Sequence, residues 1–217
     1  MMADEARAGR LYGDGARGLQ DRFDTRRLAD AIAGGAVREG LDEGDAALIA
    51  QQSKVWIATT DADGWPDVSY KGGDPGFVRV TGPSTLELPS YDGNGMWRTL
   101  GNIEDDGRVA LLFIDEGRPW RLRVHGTAVV VTDPARVEAH HGAQAVVEVT
   151  VGRVFPNCGR YVHRSGERAR FVPRPGERTA IPDWKRLDGI TETLPRRDLD
   201  ALAADDGTLD GWDGSGA

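Results

Sequence analysis

The chain has 217 residues and a formal charge of −8, the size of one domain with tails and enough to bury roughly 70% of its unfolded surface without staples. The charge is uneven: six aspartates (Asp198, Asp200, Asp205, Asp206, Asp210 and Asp213) and no cation follow Arg197, which leaves residues 1–197 near −2 and excludes a broadly basic nucleic-acid surface. The single cysteine, Cys158, excludes an intramolecular disulfide, and no apolar run approaches the ~18 residues of a membrane span.

A lone cysteine suits a reducing compartment, and "MMADEARAGRLYGDGARG" has no apolar signal core, so a soluble cytoplasmic protein is expected. Residues 1–17 are polar and rich in Gly and Ala, which predicts a loose arm. From Leu19 to Val37 the apolar residues Leu19, Phe23, Leu28, Ile32 and Ala36 recur three to five apart, the spacing of a helix. In "LDEGDAALIAQQ" (41–52) either Asp42 or Asp45 could cap a second, short helix.

The character then changes. "SKVWIATT" (53–60) is β-branched and aromatic, "DADG" is a turn and "WPDVSYK" resumes the strand, so 53–71 predicts a hairpin. "GFVRV" (76–80) and "TLELP" (85–89) predict another. "WRTLGNIEDD" (97–106) predicts a short helix. The continuous apolar run "RVALLFI" (108–114) predicts a buried strand. In "WRLRVHGTAVVV" (120–131), Trp120, Leu122, Val124, Ala128 and Val130 alternate with Arg121, Arg123, His125 and Thr127. "TDPARVEAHHG" predicts a short helix with Pro134 in its first turn and His140 and His141 as a solvated pair, and "AQAVVEVTVGRVFP" (143–156) alternates again. Six or seven strands close in sequence, without a βαβ rhythm, predict a mostly β fold: an antiparallel small barrel with a few helices.

The four histidines do not stand in a zinc-like spacing with Cys158, and no metal site is expected. No Gly-x-Ser-x-Gly elbow or phosphate loop is present. What stands out is a set of cations and amides separated by apolar strand. Only Lys54, Lys71 and Lys185 are lysines, and Lys71 ends a predicted strand just before Gly72 and Gly73. Arg98 and Thr99 open a predicted helix, Asn102 lies one turn later, and Arg121 and Arg123 share one face of the long strand. Converging cations and a helix N-terminus suit a phosphate, and arginine matches it bidentately. Solvated arginines on an outward face, and a glycine-rich hairpin at a sheet edge, explain the same residues without a ligand.

"T-x-D-x-D-G-W-P", "VSYKGGDPGFVRV", "WRTLGNIEDDGRVALLF" and "RLRVHGTA", in this order, resemble the pyridoxamine 5'-phosphate oxidase-like FMN-binding split-barrel family, and more closely its flavin-nucleotide-binding branch, over about residues 48–163. The resemblance implies a six- to seven-stranded antiparallel split β-barrel and a homodimer with FMN at the subunit interface. It implies FMN contacts from Ser69, Tyr70 and Lys71 on the early strand, from Arg98 and Thr99 on the helix, and from Arg121 on the long strand; the residue pattern adds Gly72, Asn102 and Arg123 to the same candidate site. Trp97, with Tyr161 or His163, would wall the pocket. Thr99 stands where the oxidase has lysine, and Arg121 where it has glutamine. "PARVEAHHGAQ" lacks the Tyr and Ser with which the oxidase holds its pyridoxal substrate. The expectation is therefore an FMN-dependent oxidoreductase of a small molecule rather than a true pyridoxamine 5'-phosphate oxidase, with no catalytic residue assigned and with no nucleic-acid or membrane partner. A flavin-storage protein, or a split barrel using a deazaflavin coenzyme or haem, is the alternative. The expected organisation is an arm over 1–17, the barrel with its N-terminal helices over 18–163, an extension over 164–204 packing on the barrel or the partner subunit, and a disordered acidic tail over 205–217.

Overall fold

The computed structural model describes residues 11–115, 117, 120–162 and 181–204. They fall into two compact units: residues 38–159, and the segments that precede and follow them in the chain. The helices are α1 (Asp14–Arg22), α2 (Arg26–Ala36), α3 (Glu43–Gln51), α4 (Arg98–Asp105), α5 (Pro134–Glu138) and α6 (Arg196–Ala203). The strands are β1 (Lys54–Thr60), β2 (Pro66–Gly72), β3 (Arg79–Gly82), β4 (Thr85–Tyr91), β5 (Arg108–Asp115), β6 (Trp120–Val131) and β7 (Ala143–Cys158).

The flanking unit holds α1, α2 and α6. The single helix expected over 19–37 is two, because Asp24 adopts a left-handed φ of 55° between them. The Arg17 guanidinium ties the two helices by an ion pair to Asp30 at 2.7 Å. Later in the chain, Lys185 is buried and paired with Asp198 of α6. Helix α1 begins inside the segment read as a loose arm. Residues 1–10, residues 164–180 of the predicted extension and the acidic tail lie outside the described residues.

The central unit is one seven-stranded antiparallel sheet in the order β2-β1-β5-β6-β7-β4-β3. It does not close: β2 and β3 are its edges. It nevertheless wraps one continuous core. Val55 and Ile57 of β1, Leu86 and Leu88 of β4, Phe113 of β5 and Leu122 of β6 are at most 1% exposed and share a cluster with Leu100 and Ile103 of α4. Each such side chain contributes on the order of 1.5–3 kcal/mol by burial, which makes this cluster the main stabilising term of the unit. Helix α4 packs on β1 and β6, so its N-terminus is held at a fixed place against the sheet. Asp42 caps α3 by accepting from the Asp45 N–H, with Asp45 returning the bond to the Asp42 N–H. Between β2 and β3, Pro75 and Gly76 (φ 86°) occupy the central positions of a turn closed by Phe77 N–H to the Asp74 carbonyl at 2.9 Å, the geometry of a type II turn.

Two expectations need correction. The apolar run of β5 is buried on one face only: Val109, Leu111 and Phe113 enter the core, while Ala110, Leu112 and Ile114 stay half-exposed on the other face. His140 is not solvated. It is 3% exposed, with Nε2 3.1 Å from Glu87, whose other oxygen pairs with Arg136; only His141 faces water. The "GG" after Lys71 also has an explanation inside the chain. A Cβ on Gly73 would lie 2.7 Å from the Phe77 ring, so this glycine lets the buried phenylalanine close over the strand end.

Residue Gly126 sits where β6 and β7 shift register. A Cβ there would stand 2.1 Å from the Thr150 carbonyl oxygen, which is fixed backbone. Gly126→Ala is expected to lower unfolding stability by roughly 1–3 kcal/mol or more, measurable by denaturant titration; an unchanged midpoint would mean that the two strands part without cost.

Candidate functional site

Alternation along β2 sorts its residues between two faces. Lys71 and Ser69 stand opposite the core residues Val55 and Ile57 of β1, whereas Tyr70 and Val68 stand opposite Trp56 and Ala58 on the outer face. Because β2 is an edge strand, the core side of Asp67, Ser69 and Lys71 is not covered by a further strand. It opens instead on a cleft of ≈ 360 Å³ shared with the loop 92–97 and the start of α4. Its lining includes Asp67, Ser69, Lys71, Asp92, Trp97, Arg98, Thr99 and Gln144. The volume lies within the roughly 300–1,000 Å³ of small-molecule sites.

The α4 end of the cleft is built to present donors. Trp97 takes a left-handed φ of 52° and provides no side-chain cap. The first helical bond runs from Gly101 N–H to the Trp97 carbonyl at 2.8 Å, so the N–H groups of Arg98, Thr99 and Leu100 precede the ladder. All three residues line the cleft. Burial pushes the Lys71 ammonium below its ordinary pKa, against the opposing pull of Asp67. Arg98 is 47% exposed and is held by two carboxylates, Nη2 3.2 Å from Asp61 and Nε 3.4 Å from Asp67. Asp67 first and Asp61 second raise its pKa. Asp61 is itself fixed by the Trp65 and Asp63 N–H groups, which with Arg98 hold its carboxyl below the usual range.

Five of the ten predicted site residues thus meet in one cleft: Ser69, Lys71, Trp97, Arg98 and Thr99. The other five do not line it. Gly72 closes β2 beside the Tyr70 ring. Tyr70 stacks edge-on against Trp56, with ring centroids 5.8 Å apart, on the outer face. Asn102 is buried and donates from Nδ2 to the Thr59 hydroxyl at 2.9 Å, a structural bond between α4 and β1. Arg121 donates to the Cys158 carbonyl at 3.1 Å through Nε. Arg123 lines a second, smaller depression of ≈ 190 Å³ on the outer face, with Trp56, Ala58, Val68, Leu112 and His125. Tyr161 belongs to the flanking unit and His163 lies outside the described residues. Among the described residues no group of three or more His, Cys, Asp or Glu could hold a metal ion.

Sequence reasoning missed Asp61, Asp67, Asp92 and Gln144. Strand parity could have found Asp67, two and four residues before Ser69 and Lys71 on one face. Asp92 and Gln144, joined at 3.3 Å, come from segments 52 residues apart and carry no local signal.

A model of the pyridoxamine 5'-phosphate oxidase family matches residues 41–173, well over half of the chain. The chain belongs to the pyridoxamine 5'-phosphate oxidase family. Solved structures similar to it include HupZ of Group A Streptococcus (27% identity, 54% of this chain and 93% of that one, TM-score 0.45). A putative pyridoxamine 5'-phosphate oxidase from Lactobacillus delbrueckii is 29% identical over 54% of this chain and 95% of that one, TM-score 0.45. An FMN-binding protein from Syntrophomonas wolfei is 11% identical over 66% of this chain and 95% of that one, TM-score 0.41. No curated protein matches.

Removing the Asn102 side chain leaves the Thr59 hydroxyl without its buried donor. Asn102→Ala is expected to cost about 1–3 kcal/mol of stability, read by thermal or denaturant unfolding; a variant as stable as the parent would release Asn102 from this structural role.

Proposed function

We propose that this family member binds FMN and acts as an FMN-dependent oxidoreductase on a small molecule. The observation that carries the reading is the convergence, in one cleft, of Lys71, Arg98, Thr99 and the uncapped start of α4. A phosphate monoester needs cations and N–H donors around its terminal oxygens, and this donor set fits one. Bound FMN supplies the two-electron redox chemistry. The chain's own residues bind and orient: Lys71 and Arg98 meet the phosphate charge, Thr99 and the α4 N–H groups donate to its oxygens, and Ser69 and the exposed Trp97 flank the space beside it.

The reading includes a homodimer with the cofactor at the seam. Arg121 and Arg123 project from β6 on the face opposite Leu122 and Val124, so within one chain they point away from the core-side cleft. A second copy would bring them to it. The outer face supports such a partner: Val68 (65% exposed) and Tyr70 (59% exposed) continue across Trp56, Ala110 and Leu112 as an apolar surface. That surface also gives the apolar run of β5 a use on both sides. Vitamin B6 phosphate is disfavoured as substrate, because "PARVEAHHGAQ" around α5 offers no Tyr or Ser to hold it. The single cysteine supports a reducing, cytoplasmic setting.

The experiment is the absorption spectrum, ligand mass and solution mass of the purified protein. A flavin spectrum with FMN mass and a dimeric particle is expected. Stabilisation by a deazaflavin coenzyme but not by FMN would overturn the cofactor, and a monomer that binds FMN would overturn the seam. FMN that no candidate substrate can reduce or reoxidise would leave a flavin-binding protein without a reaction. Arg98→Ala should weaken FMN about tenfold without unfolding, the low end for a charge-assisted contact because two carboxylates already share the guanidinium. Lys71 must be protonated to meet phosphate, and burial lowers its pKa. FMN affinity should therefore fall with rising pH earlier than an ordinary lysine, near pH 10.4, would give. Lys71→Arg should hold its affinity across the same pH range.

A further inference from the structure

The cleft is not simply basic. Its two cations, Lys71 and Arg98, share it with Asp67 and Asp92, and Asp61 stands directly behind Arg98. Both carboxylates of the Asp61–Arg98–Asp67 group are less exposed than the guanidinium, at 21% and 26% against 47%. They approach it on different nitrogens, Nη2 and Nε. A phosphate entering the cleft thus meets an arginine whose charge is already compensated by two anions fixed on the β1–β2 turn and on β2, and it is itself repelled by Asp67 from the same wall.

We propose, resting on the flavin reading above, that Asp67 is an affinity-limiting residue. By competing with the phosphate for Arg98 it keeps the flavin nucleotide loosely held and exchangeable, so that the chain takes its flavin from solution and releases it rather than retaining it as a permanent prosthetic group. Like charge beside a recognition site lowers affinity for an anion, and at this partial exposure the effect is moderate rather than absolute. The chemistry recognised is a flavin carrying a terminal phosphate. The same ring without the phosphate gains nothing from Arg98 and loses nothing to Asp67.

The test compares FMN with riboflavin by fluorescence titration of the full chain and its Asp67→Asn variant. Asparagine keeps the shape and removes the charge, and it spares the turn that Asp61 holds through Trp65 and Asp63. The expected result is FMN binding about three- to tenfold tighter in D67N, riboflavin unchanged, and a slower FMN release rate. A second variant, Asp61→Asn, should shift FMN in the same direction, and circular dichroism verifies that both variants are folded. FMN bound more weakly by folded D67N would mean that Asp67 positions Arg98 for the phosphate and would overturn the proposal. An unchanged ratio of FMN to riboflavin affinity would overturn it as well, with the flavin reading intact. Absence of binding of either flavin to parent and variants would sink the flavin reading and this inference with it.

Discussion

The two-residue period of an edge strand governs the chemistry of the barrel. Among the described residues β2 has β1 on one side and no strand on the other, so its core-side residues Ser69 and Lys71 stand above a core they only half cover. The uncovered space is the cleft. The same period sends Tyr70 and Val68 to the far face, where they extend the apolar surface of Trp56, Ala110 and Leu112. One short strand therefore supplies both a polar pocket and part of a hydrophobic surface, and neither could move without the other. A register slip of one residue against β1 would exchange the two sets and bury Tyr70 where Lys71 stands.

Helix α4 completes the cleft because the core fixes it. Leu100 and Ile103 anchor its buried face, and the Asn102–Thr59 bond sets its position along β1. Those contacts hold Trp97 in a left-handed conformation that costs on the order of 1 kcal/mol or more for a non-glycine residue, and they leave the helix start open towards Lys71. The strain and the missing cap are thus consequences of packing one turn further along.

Much of this was legible in the sequence. Strand alternation in β6, the helix over 97–106 and a cap from Asp42 or Asp45 all followed from local chemistry, and strand count with short connections predicted antiparallel β. Of the ten candidate residues, Ser69, Lys71, Trp97, Arg98 and Thr99 line one cleft and the other five do not. What local pattern could not supply was the facing of elements distant in sequence. Asn102 looked like a site residue because it lies one turn from Arg98; its partner, Thr59, is 43 residues away. His140 looked solvated beside His141, but β4 places Glu87 against it from 53 residues away. Tyr70 was grouped with its chain neighbours, although adjacent strand residues face opposite ways.

The cations of the central unit fall on two faces of the sheet. Lys71 and Arg98 share their surroundings with Asp61, Asp67 and Asp92, so the formal charge of that group is −1, an unfavourable balance for a dianion. Arg121 and Arg123 stand on the opposite face of the sheet, beside His125, whose pKa is lowered by burial first and then by the positive charges of Arg153 and Arg123. That face carries a surplus of positive charge around an apolar centre, and the cleft side carries a slight deficit. Each surface lacks what the other has. Under the proposed dimer, the positive charge of one surface and the slight deficit of the other would offset each other.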